Sequence, residues 1–336
     1  MRHQYVERAS GSIATEKLFA DRILKFLYSE VRESAPALFE LVTQKRTSQL
    51  LAMANFDLPL GPALLGNSRF LRSCGIDLKE CVAPPEELRT PRQIFERQIR
   101  YWECRPMPDD SRTAVCPADS RIVIGSLDSA RLLFVKNKFF DYQELLGFAS
   151  PWCEAFHNGD FSISRLTPDK YHYTHMPVAG IVNDFYEVPG ELHSCNPGAV
   201  VEVVTPYSKN RRSVTIVDTN CGSDGTGIGL VAIIEVGALM IGEILQCYSD
   251  VRYANSQKIC KEMFLRKGAP KSLFRPGSSA VVVLFQKDAI EFEPDLVLNL
   301  YRHEVNSRFS HGFSQPLVET DVKVRSALAS AKGDPS

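Results

Sequence analysis

One stretch decides the fold: Arg275-Pro276-Gly277-Ser278-Ser279-Ala280, followed at once by Val281-Val282-Val283-Leu284-Phe285. A Pro-Gly pair is a turn signal, and the β-branched run behind it predicts a buried strand. Because Gly277 has no Cβ, a hydroxyl can approach its carbonyl closely, and that hydroxyl could be the one on Ser278. The stretch is therefore either an ordinary hairpin turn or a turn that holds a reactive serine.

Short β-rich runs separated by turn residues fill the chain after residue 105. They occur, besides the run after Ser278, at 122–124, 132–135, 161–164, 178–188, 200–204, 214–217 and 230–244. No long helical pattern alternates with them, which disfavours a parallel doubly wound sheet. We expect a mainly antiparallel β-rich core, with a polar tail at 308–331 running over its surface.

The glycine-rich segment at 222–229 invites comparison with phosphate-binding loops. It matches neither G-x-G-x-x-G opening a helix nor the Walker pattern with Lys-Ser/Thr, and it precedes a strand-like run. A loop between two strands is the better interpretation.

Helical patterns are confined to the first 105 residues. Amphipathic helices are expected from Thr15 and near 34–53. A third has the clearest start signal, with Thr90 as cap and Pro91 at the first helical position, and its apolar residues recur at helical spacing as far as Trp102.

The fold class predicted from these patterns is α+β. A helical N-terminal region at 1–105 would be followed by a β-rich catalytic domain at 106–336. The apolar helix faces suit packing on the core or contact with a membrane, and amphipathicity alone does not separate the two.

The composition is that of an ordinary globular protein. The chain has 336 residues, 44% of them hydrophobic and 24% charged, which excludes a wholly disordered protein. A formal net charge of −1 argues against nucleic-acid binding. No run is long enough to span a bilayer and no secretory signal is evident, so the expected compartment is the cytoplasm. Nine cysteines without a C-x-x-C pair predict reduced thiols.

Three side chains besides that of Ser278 are candidates for chemistry. Asp119 ends a turn just before a strand, where an aspartate is more often a turn former than a catalyst. His172 and His175 lie three positions apart among aromatic residues, and histidine is the side chain best suited to moving protons near neutral pH. The two histidines could equally be structural, and no ligand pattern accompanies them that would favour a metal.

If Asp119, His175 and Ser278 converge, they form an activated nucleophile. The carboxylate would hold the imidazole in the useful tautomer, the imidazole would take the proton of the serine, and the serine oxygen would attack the carbonyl of Gly277. That attack shifts the acyl group from nitrogen to oxygen. Elimination of the ester then leaves dehydroalanine, which hydrolyses to a pyruvoyl group, and the chain is cut between Gly277 and Ser278.

Three segments resemble the signature segments of the phosphatidylserine decarboxylases, in the same order. They are Cys116-Pro117-Ala118-Asp119, the segment from Tyr171 to Pro177, and Gly277-Ser278-Ser279 with the strand that follows. Softer similarity at 139–147, 194–197 and 235–238 extends the match from about residue 30 to about residue 310. Three signatures in order are far more specific than any one of them.

The resemblance implies a proenzyme that cuts itself between Gly277 and Ser278, with Asp119 and His175 assisting. The cofactor would be a pyruvoyl group made from Ser278, without a metal and without pyridoxal phosphate. Its ketone would react with the substrate amine and accept the electrons released with carbon dioxide. His172 would return a proton to the resulting carbanion, and phosphatidylserine would become phosphatidylethanolamine.

The resemblance also implies partners and a location. The substrate would be a phospholipid, reached by peripheral membrane contact of a cytoplasmic protein. The two cleavage fragments would stay together, and a homo-oligomer is an open option.

The chain departs from the family pattern at three positions. The family commonly has a threonine, a glycine and an arginine where this chain has Ser279, Ser120 and Tyr173. Losing the arginine removes a cation that could face an anionic group, so a free amino acid stays open as an alternative substrate. An uncleaved homologue that acts as a binding module is the alternative outside enzymes.

Overall fold

The computed structural model describes residues 2–18, 76–88, 90–130, 139–202, 205–240 and 243–333, with the backbone alone at 239, 240 and 278. The strands of these ranges, in chain order, are β1 (Gln4–Glu7), β2 (Ile13–Thr15), β3 (Thr113–Val115), β4 (Ser120–Ser126), β5 (Asp160–Leu166), β6 (Tyr173–His175), β7 (Gly180–Val188), β8 (Arg212–Asp218), β9 (Leu230–Met240), β10 (Ile244–Gln246), β11 (Phe264–Leu265), β12 (Pro270–Phe274), β13 (Gly277–Phe285), β14 (Ile290–Phe292), β15 (Thr320–Val322) and β16 (Ala327–Ala331).

The helices in the described ranges are short. They are α1 (Pro91–Phe95), α2 (Tyr101–Cys104), α3 (Tyr142–Leu146), α4 (Pro197–Glu202), α5 (Pro206–Lys209), α6 (Pro294–Leu300) and α7 (Arg308–Phe313), with single 3₁₀ turns at Leu78–Glu80, Pro85–Glu87, Glu154–Phe156 and Gly222–Asp224. In these parts of the chain, no helix combines the length and the apolar character that crossing a membrane requires.

The strands form one large sheet and two small ones. The large sheet has ten strands in the order β11-β7-β8-β9-β13-β5-β4-β15-β1-β2. The small sheets have the orders β10-β12-β6 and β14-β16-β3. Neighbouring strands run antiparallel except β1 and β15, so the predicted antiparallel β-rich core is confirmed.

Strand β13 lies at the centre of the large sheet, as its β-branched sequence predicts. It pairs with β9 on one side and β5 on the other, with Val282 opposite Ile234 and Ile163. Every residue from 280 to 285 is completely buried. The apolar run after Ser278 is therefore the middle of the core.

Several predicted elements are confirmed. The runs at 122–124, 161–164, 178–188, 214–217 and 230–244 lie in β4, β5, β7, β8, and β9 with β10, and the glycine-rich segment is the connection between β8 and β9. The run at 132–135 lies outside the described residues. The eight cysteines in the described ranges are free thiols, as expected.

The helical N-terminal part is only partly observed. Residues 4–7 and 13–15 are strands of the large sheet, so Thr15 ends a strand and the helix expected there does not begin at it. Most of that helix and the helix expected near 34–53 lie outside the described residues. The division of the chain at residue 105 stays a prediction.

Helix α1 begins as predicted but ends early. Thr90 and Gln93 form a capping box with Pro91 at the first helical position. The helix nevertheless stops at Phe95, because the amide of Ile99 binds the hydroxyl of Tyr253 and so leaves the helical pattern.

Two further expectations were wrong. Val200 lies in helix α4 and not in a strand, because the Asn196 side chain caps the amide of Gly198 and Pro197 starts the helix. The tail at 308–331 does not run over the surface. It contributes β15 and β16, and Leu328 is completely buried between neighbouring strands.

A buried ion-pair network joins the N-terminal strands to the sheet. Arg165 on β5 binds Glu16 at 2.7 Å and Glu319 at 2.6 Å, and His3 lies 2.6 Å from Glu319. The ligand atoms of His3, Glu16 and Glu319 lie within 4.8 Å of one another, as in a metal site. The two carboxylates, however, are already matched by two guanidinium groups, because Arg121 also binds Glu16 at 2.7 Å, so the network is complete as an ion-pair cluster.

Replacing Glu319 by Gln is expected to lower the free energy of unfolding by about 3 kcal/mol, because it removes one anion from a buried pair. Burial alone would raise the pKa of Glu319, but Arg165 and His3 lower it from an ordinary 4.5 to about 2. Since the folded pKa is depressed, this charge stabilises the fold above pH 4.5, and its contribution is lost as the pH falls towards 2. Chemical denaturation at several pH values measures both effects.

The matched control is Glu304→Gln, which removes an exposed carboxylate paired with Arg302. It should leave the unfolding free energy unchanged. Equal losses in both variants, or a Glu319→Gln protein with the same acid dependence as the wild type, would contradict the buried network.

Candidate active site

Asp119 lies in the turn between β3 and β4 and is almost completely buried. Its carboxylate accepts hydrogen bonds from Arg105 Nε at 2.9 Å and Nη2 at 2.7 Å, and from the amide of Val324 at 2.8 Å. Burial alone would raise the pKa of Asp119, but the hydrogen bonds and charge of Arg105 lower it to about 2. Asp119 is therefore a fixed negative charge at neutral pH.

Arg105 was not recognised from the sequence. It lies 14 residues before Asp119, and its guanidinium also binds Glu80 at 2.9 Å, so it bridges two carboxylates. No local pattern marks such a partner, because the contact forms only when the loop before β3 folds back on the turn.

His175 ends strand β6 and is completely buried. Its Nδ1 lies 2.8 Å from the carbonyl oxygen of Gly268, which can only accept, so Nδ1 carries the proton. Its Nε2 lies 2.9 Å from the hydroxyl of Tyr171 and accepts from it. Burial lowers the pKa of His175 to about 3, with the charges of Arg325 and Arg105 adding to the effect. His175 is thus a neutral imidazole with both nitrogens occupied.

The structure brings Asp119 and His175 close together, but not in the expected contact. The amide of His175 donates to the carbonyl of Pro117 at 2.7 Å, which ties β6 to the Asp119 turn. The carboxylate of Asp119 binds Arg105, and the tautomer of His175 is held by Gly268. Asp119 acts on His175 through its charge, which favours the protonated ring.

His172 precedes β6 and is also completely buried. Its ring stacks on Phe95 of α1 with 3.5 Å between ring centroids, and Nδ1 donates to the carbonyl of Lys170 at 2.8 Å. Its Nε2 has no hydrogen-bond partner among the described residues. Burial lowers the pKa of His172 to about 3, and the charge of Arg97 adds to this. A buried acceptor without a partner is costly, and this one is open to a hydrogen bond from a ligand group.

Gly277 and Ser278 begin strand β13, just after β12, which pairs with the histidine strand β6. The carbonyl of His172 accepts from the amide of Phe274 at 3.1 Å, and Tyr173 pairs with Leu273. The histidines therefore flank the strand that leads into the Gly277-Ser278 bond. The side chain of Ser278 lies outside what the structure describes, so the convergence of Ser278 with His175 stays a prediction.

The backbone at Gly277 is unusual. Its φ of +154° lies in a region that L side chains rarely adopt, so only glycine fits without strain. The pairing of β13 with β9 also shifts register between Gly277 and residue 279, which marks a β-bulge. A backbone conformation reserved for glycine next to a bulge is typical of functional sites.

A second buried ion pair, Glu235 with Lys271, lies beside β13. The two side chains are fully buried with Nζ and Oε2 2.7 Å apart, and Thr174 donates to Glu235 Oε1 at 2.7 Å. The pair thereby ties together β9, β12 and the histidine strand β6. The sequence signal was present, since Glu235 interrupts the longest apolar run, but its partner lies 36 residues away.

Comparison with known proteins identifies the family that this chain resembles. The family model for phosphatidylserine decarboxylase matches residues 92–300. The phosphatidylserine decarboxylase proenzyme of Bordetella petrii is 31% identical over 229 residues, which cover 65% of this chain and 76% of that protein. The proenzyme of Chlamydia trachomatis serovar L2 is 29% identical over 87% of this chain and 90% of its own length.

A rice protein named phosphatidylserine decarboxylase proenzyme 2 is similar over a smaller part of its length. It is 34% identical over 68% of this chain, but the match spans only 34% of the rice protein. The match to the rice protein is 231 residues long, whereas the family model covers residues 92–300 of this chain.

Replacing Gly277 by Ala is expected to cost about 1–3 kcal/mol of stability, because a Cβ is strained at this φ. The variant is made in a Ser278→Ala background, so that the chain stays intact whatever chemistry Ser278 performs. Gly333→Ala in the same background is the control, since Gly333 has open space around its Cβ position. Equal denaturation midpoints for Gly277→Ala and Gly333→Ala would show that a Cβ at residue 277 causes no strain.

Proposed function

The chain belongs to the phosphatidylserine decarboxylase family, a family of carboxy-lyases, and from this premise we propose that it cuts itself between Gly277 and Ser278 and then decarboxylates phosphatidylserine to phosphatidylethanolamine. One observation carries the proposal beyond family membership. The unpartnered, buried Nε2 of His172 lies next to β6, which pairs with β12, and β12 leads into the Gly277-Ser278 bond, where Gly277 has a backbone conformation that favours glycine.

Self-cleavage begins with the hydroxyl of Ser278. Its oxygen attacks the carbonyl carbon of Gly277, the carbon–nitrogen bond breaks, and the serine proton passes to the released nitrogen. His175 is the base that carries this proton. Loss of the ester by β-elimination, followed by hydrolysis with release of ammonia, leaves a pyruvoyl group at position 278.

Asp119 supports His175 as a fixed charge. Because Arg105 keeps it ionised, its field favours the protonated imidazole during proton transfer. This role differs from the direct carboxylate–imidazole hydrogen bond expected from the sequence. It requires only that the charge stay buried and close.

The residues present suit a pyruvoyl group at position 278. The group would sit at the first residues of a strand paired on both sides, and His172 Nε2 is a buried atom with free hydrogen-bonding capacity. When formed, the group supplies the electron sink for decarboxylation, as pyridoxal phosphate does in other enzymes.

His172 handles the proton of decarboxylation. In the resting protein the pKa of His172 is about 3, so Nε2 is unprotonated at neutral pH and open to a hydrogen bond. The carboxylate of a bound substrate would raise this pKa, because a nearby anion favours the protonated ring, and would so let Nε2 take a proton from the substrate ammonium. The same nitrogen then returns a proton to the carbon that has lost carbon dioxide. His172 thus acts first as a base and then as an acid, while Lys170 holds its other nitrogen.

The cut would leave two fragments, residues 1–277 and 278–336, that stay together. The smaller fragment supplies β13 between β9 and β5, β15 beside β1 and β4, and β16 beside β3. These backbone hydrogen bonds cross between the fragments, so dissociation would require unfolding of the sheets. Peripheral membrane contact, a cytoplasmic location and a homo-oligomer stay predictions.

Replacing Ser278 by Ala is expected to abolish the cut, because the nucleophile is lost. A denaturing gel with mass spectrometry should show two fragments for the wild type and one intact chain for the variant. Ser164→Ala, which removes the hydroxyl of a buried serine on the neighbouring strand β5, is the matched control and should cut normally. A wild-type chain that stays intact would refute self-cleavage.

Replacing His172 by Gln is expected to spare the cut but lower decarboxylation by about 100-fold or more, because a general acid–base is removed. Release of carbon dioxide from phosphatidylserine in liposomes measures the effect, with His303→Gln, an exposed histidine, as the control. Free serine and other free amino acids are assayed in parallel. Turnover of free amino acids alone would contradict the phospholipid substrate.

A further inference from the structure

A hydrogen-bonded chain runs from His175 to the loop before α2. The hydroxyl of Tyr171 lies 2.9 Å from His175 Nε2 and 2.7 Å from the hydroxyl of Tyr253. The hydroxyl of Tyr253 in turn lies 2.9 Å from the carbonyl oxygen of Ile99 and 3.1 Å from its amide. Four polar groups are thus in series, and neither tyrosine has a role in the reaction as proposed so far.

The hydrogen-bond chain has one arrangement of its protons when His175 is neutral. Nδ1 donates to Gly268, so Nε2 must accept from Tyr171. The oxygen of Tyr171 then accepts from Tyr253, whose own oxygen accepts the amide proton of Ile99. The carbonyl of Ile99 is not needed as an acceptor in this arrangement.

A second arrangement exists when His175 is protonated. Nε2 now donates to the oxygen of Tyr171, so the proton of Tyr171 turns towards Tyr253 and the proton of Tyr253 turns towards the carbonyl of Ile99. The second arrangement differs from the first by one added proton and by the directions of the two hydroxyl groups, and every donor keeps an acceptor. The carbonyl of Ile99 lies where this second arrangement requires it.

We propose that Tyr171, Tyr253 and the carbonyl of Ile99 form a reversible hydrogen-bond chain that lets the buried His175 change between neutral base and imidazolium during self-cleavage. This inference rests on the proposed function. Because the lone pair of Nε2 faces Tyr171, the serine proton reaches the ring through that hydroxyl: Tyr171 gives its proton to Nε2 and takes the proton of Ser278, and the reverse exchange later delivers a proton to the released nitrogen. Tyr171 is the relay in this exchange, and Tyr253 is a positioning residue, because it acts through Tyr171.

The need for such a chain follows from the surroundings of His175. The ring is completely buried and the cations Arg325 and Arg105 oppose its protonation, whereas the hydrogen bond to the carbonyl of Gly268 and the charge of Asp119 favour it. The ring of Tyr101, which packs edge-on with 4.7 Å between centroids, offers no charge. Acceptors on both ring nitrogens therefore lower the cost of a buried imidazolium, and Tyr253 is the half-buried end of the chain.

The proposal makes different predictions for the two tyrosines. Tyr253→Phe leaves the hydrogen bond from Tyr171 to Nε2 intact but removes the acceptor that Tyr171 needs when His175 is protonated. Self-cleavage should slow by about tenfold, while the resting imidazole stays unchanged. Tyr171→Phe removes both arrangements and should slow it by about 100-fold.

The experiment follows cutting in a pulse-chase of freshly synthesised full-length chains. Tyr173→Phe is the matched control, because Tyr173 belongs to the same aromatic cluster but its hydroxyl accepts from Gln98 at 3.2 Å, outside the chain. It should cut at the wild-type rate. Denaturant midpoints of the same variants in a Ser278→Ala background exclude loss of folding as the cause.

Nitrogen NMR of His175 in the uncut Ser278→Ala protein supplies a readout that a merely structural role would not give. The Nδ1-protonated tautomer with a hydrogen-bonded Nε2 should persist in Tyr253→Phe, and the Nε2 signal should move to that of a free acceptor in Tyr171→Phe. If Tyr253→Phe cuts slowly but keeps the resting tautomer of His175, the result supports the proposed hydrogen-bond chain.

Two outcomes overturn the proposal. Wild-type cutting rates in both phenylalanine variants would show that the hydrogen-bond chain of Tyr171 and Tyr253 takes no part in the reaction, and the proposed function would be unaffected. Loss of the resting tautomer in Tyr253→Phe would make Tyr253 a structural support only. A wild-type chain that never cuts would instead refute the proposed function, while the tautomer measurements would still show whether Tyr171 holds His175.

Discussion

The pairing of strand β13 on both sides is the constraint on which the rest of the site depends. Strand β9 pairs with β13 from Gly277 onward and β5 pairs with it from Ser279 onward, so the Gly277-Ser278 bond lies where the pairing on both sides begins. The φ of +154° at Gly277 and the bulge beside it occur at this same place. The same pairing would hold the fragments together after a cut.

The buried polar side chains of the site are of two kinds, ionised carboxylates and neutral imidazoles. The anions Asp119, Glu235 and Glu319 are each paired with a cation, which keeps them ionised. The two imidazoles are kept neutral by burial. His175 is held at both nitrogens and suits one proton transfer with fixed geometry, whereas His172 has an open nitrogen and suits a substrate that arrives from outside.

Local patterns in the sequence predicted most strands and the start of α1, because β-branched runs and a Thr-Pro cap act over a few residues. Three segments predicted the family and the candidate residues. What the sequence did not reveal depends on distant contacts: Arg105 on Asp119, Gly268 and Tyr171 on His175, and the pairing of β1 with β15. The error at Val200 is local, because the cap at Asn196 outweighed a β-branched pair.

The mass of the smaller fragment from the purified wild-type protein tests the central claim most directly. Self-cleavage at Ser278 with conversion to a pyruvoyl group predicts a fragment of residues 278–336 that is lighter by one ammonia than the same peptide with an N-terminal serine. Its N-terminus would be blocked to sequencing and would react with a carbonyl reagent. An intact chain, or a fragment with a free N-terminal serine, would contradict the claim.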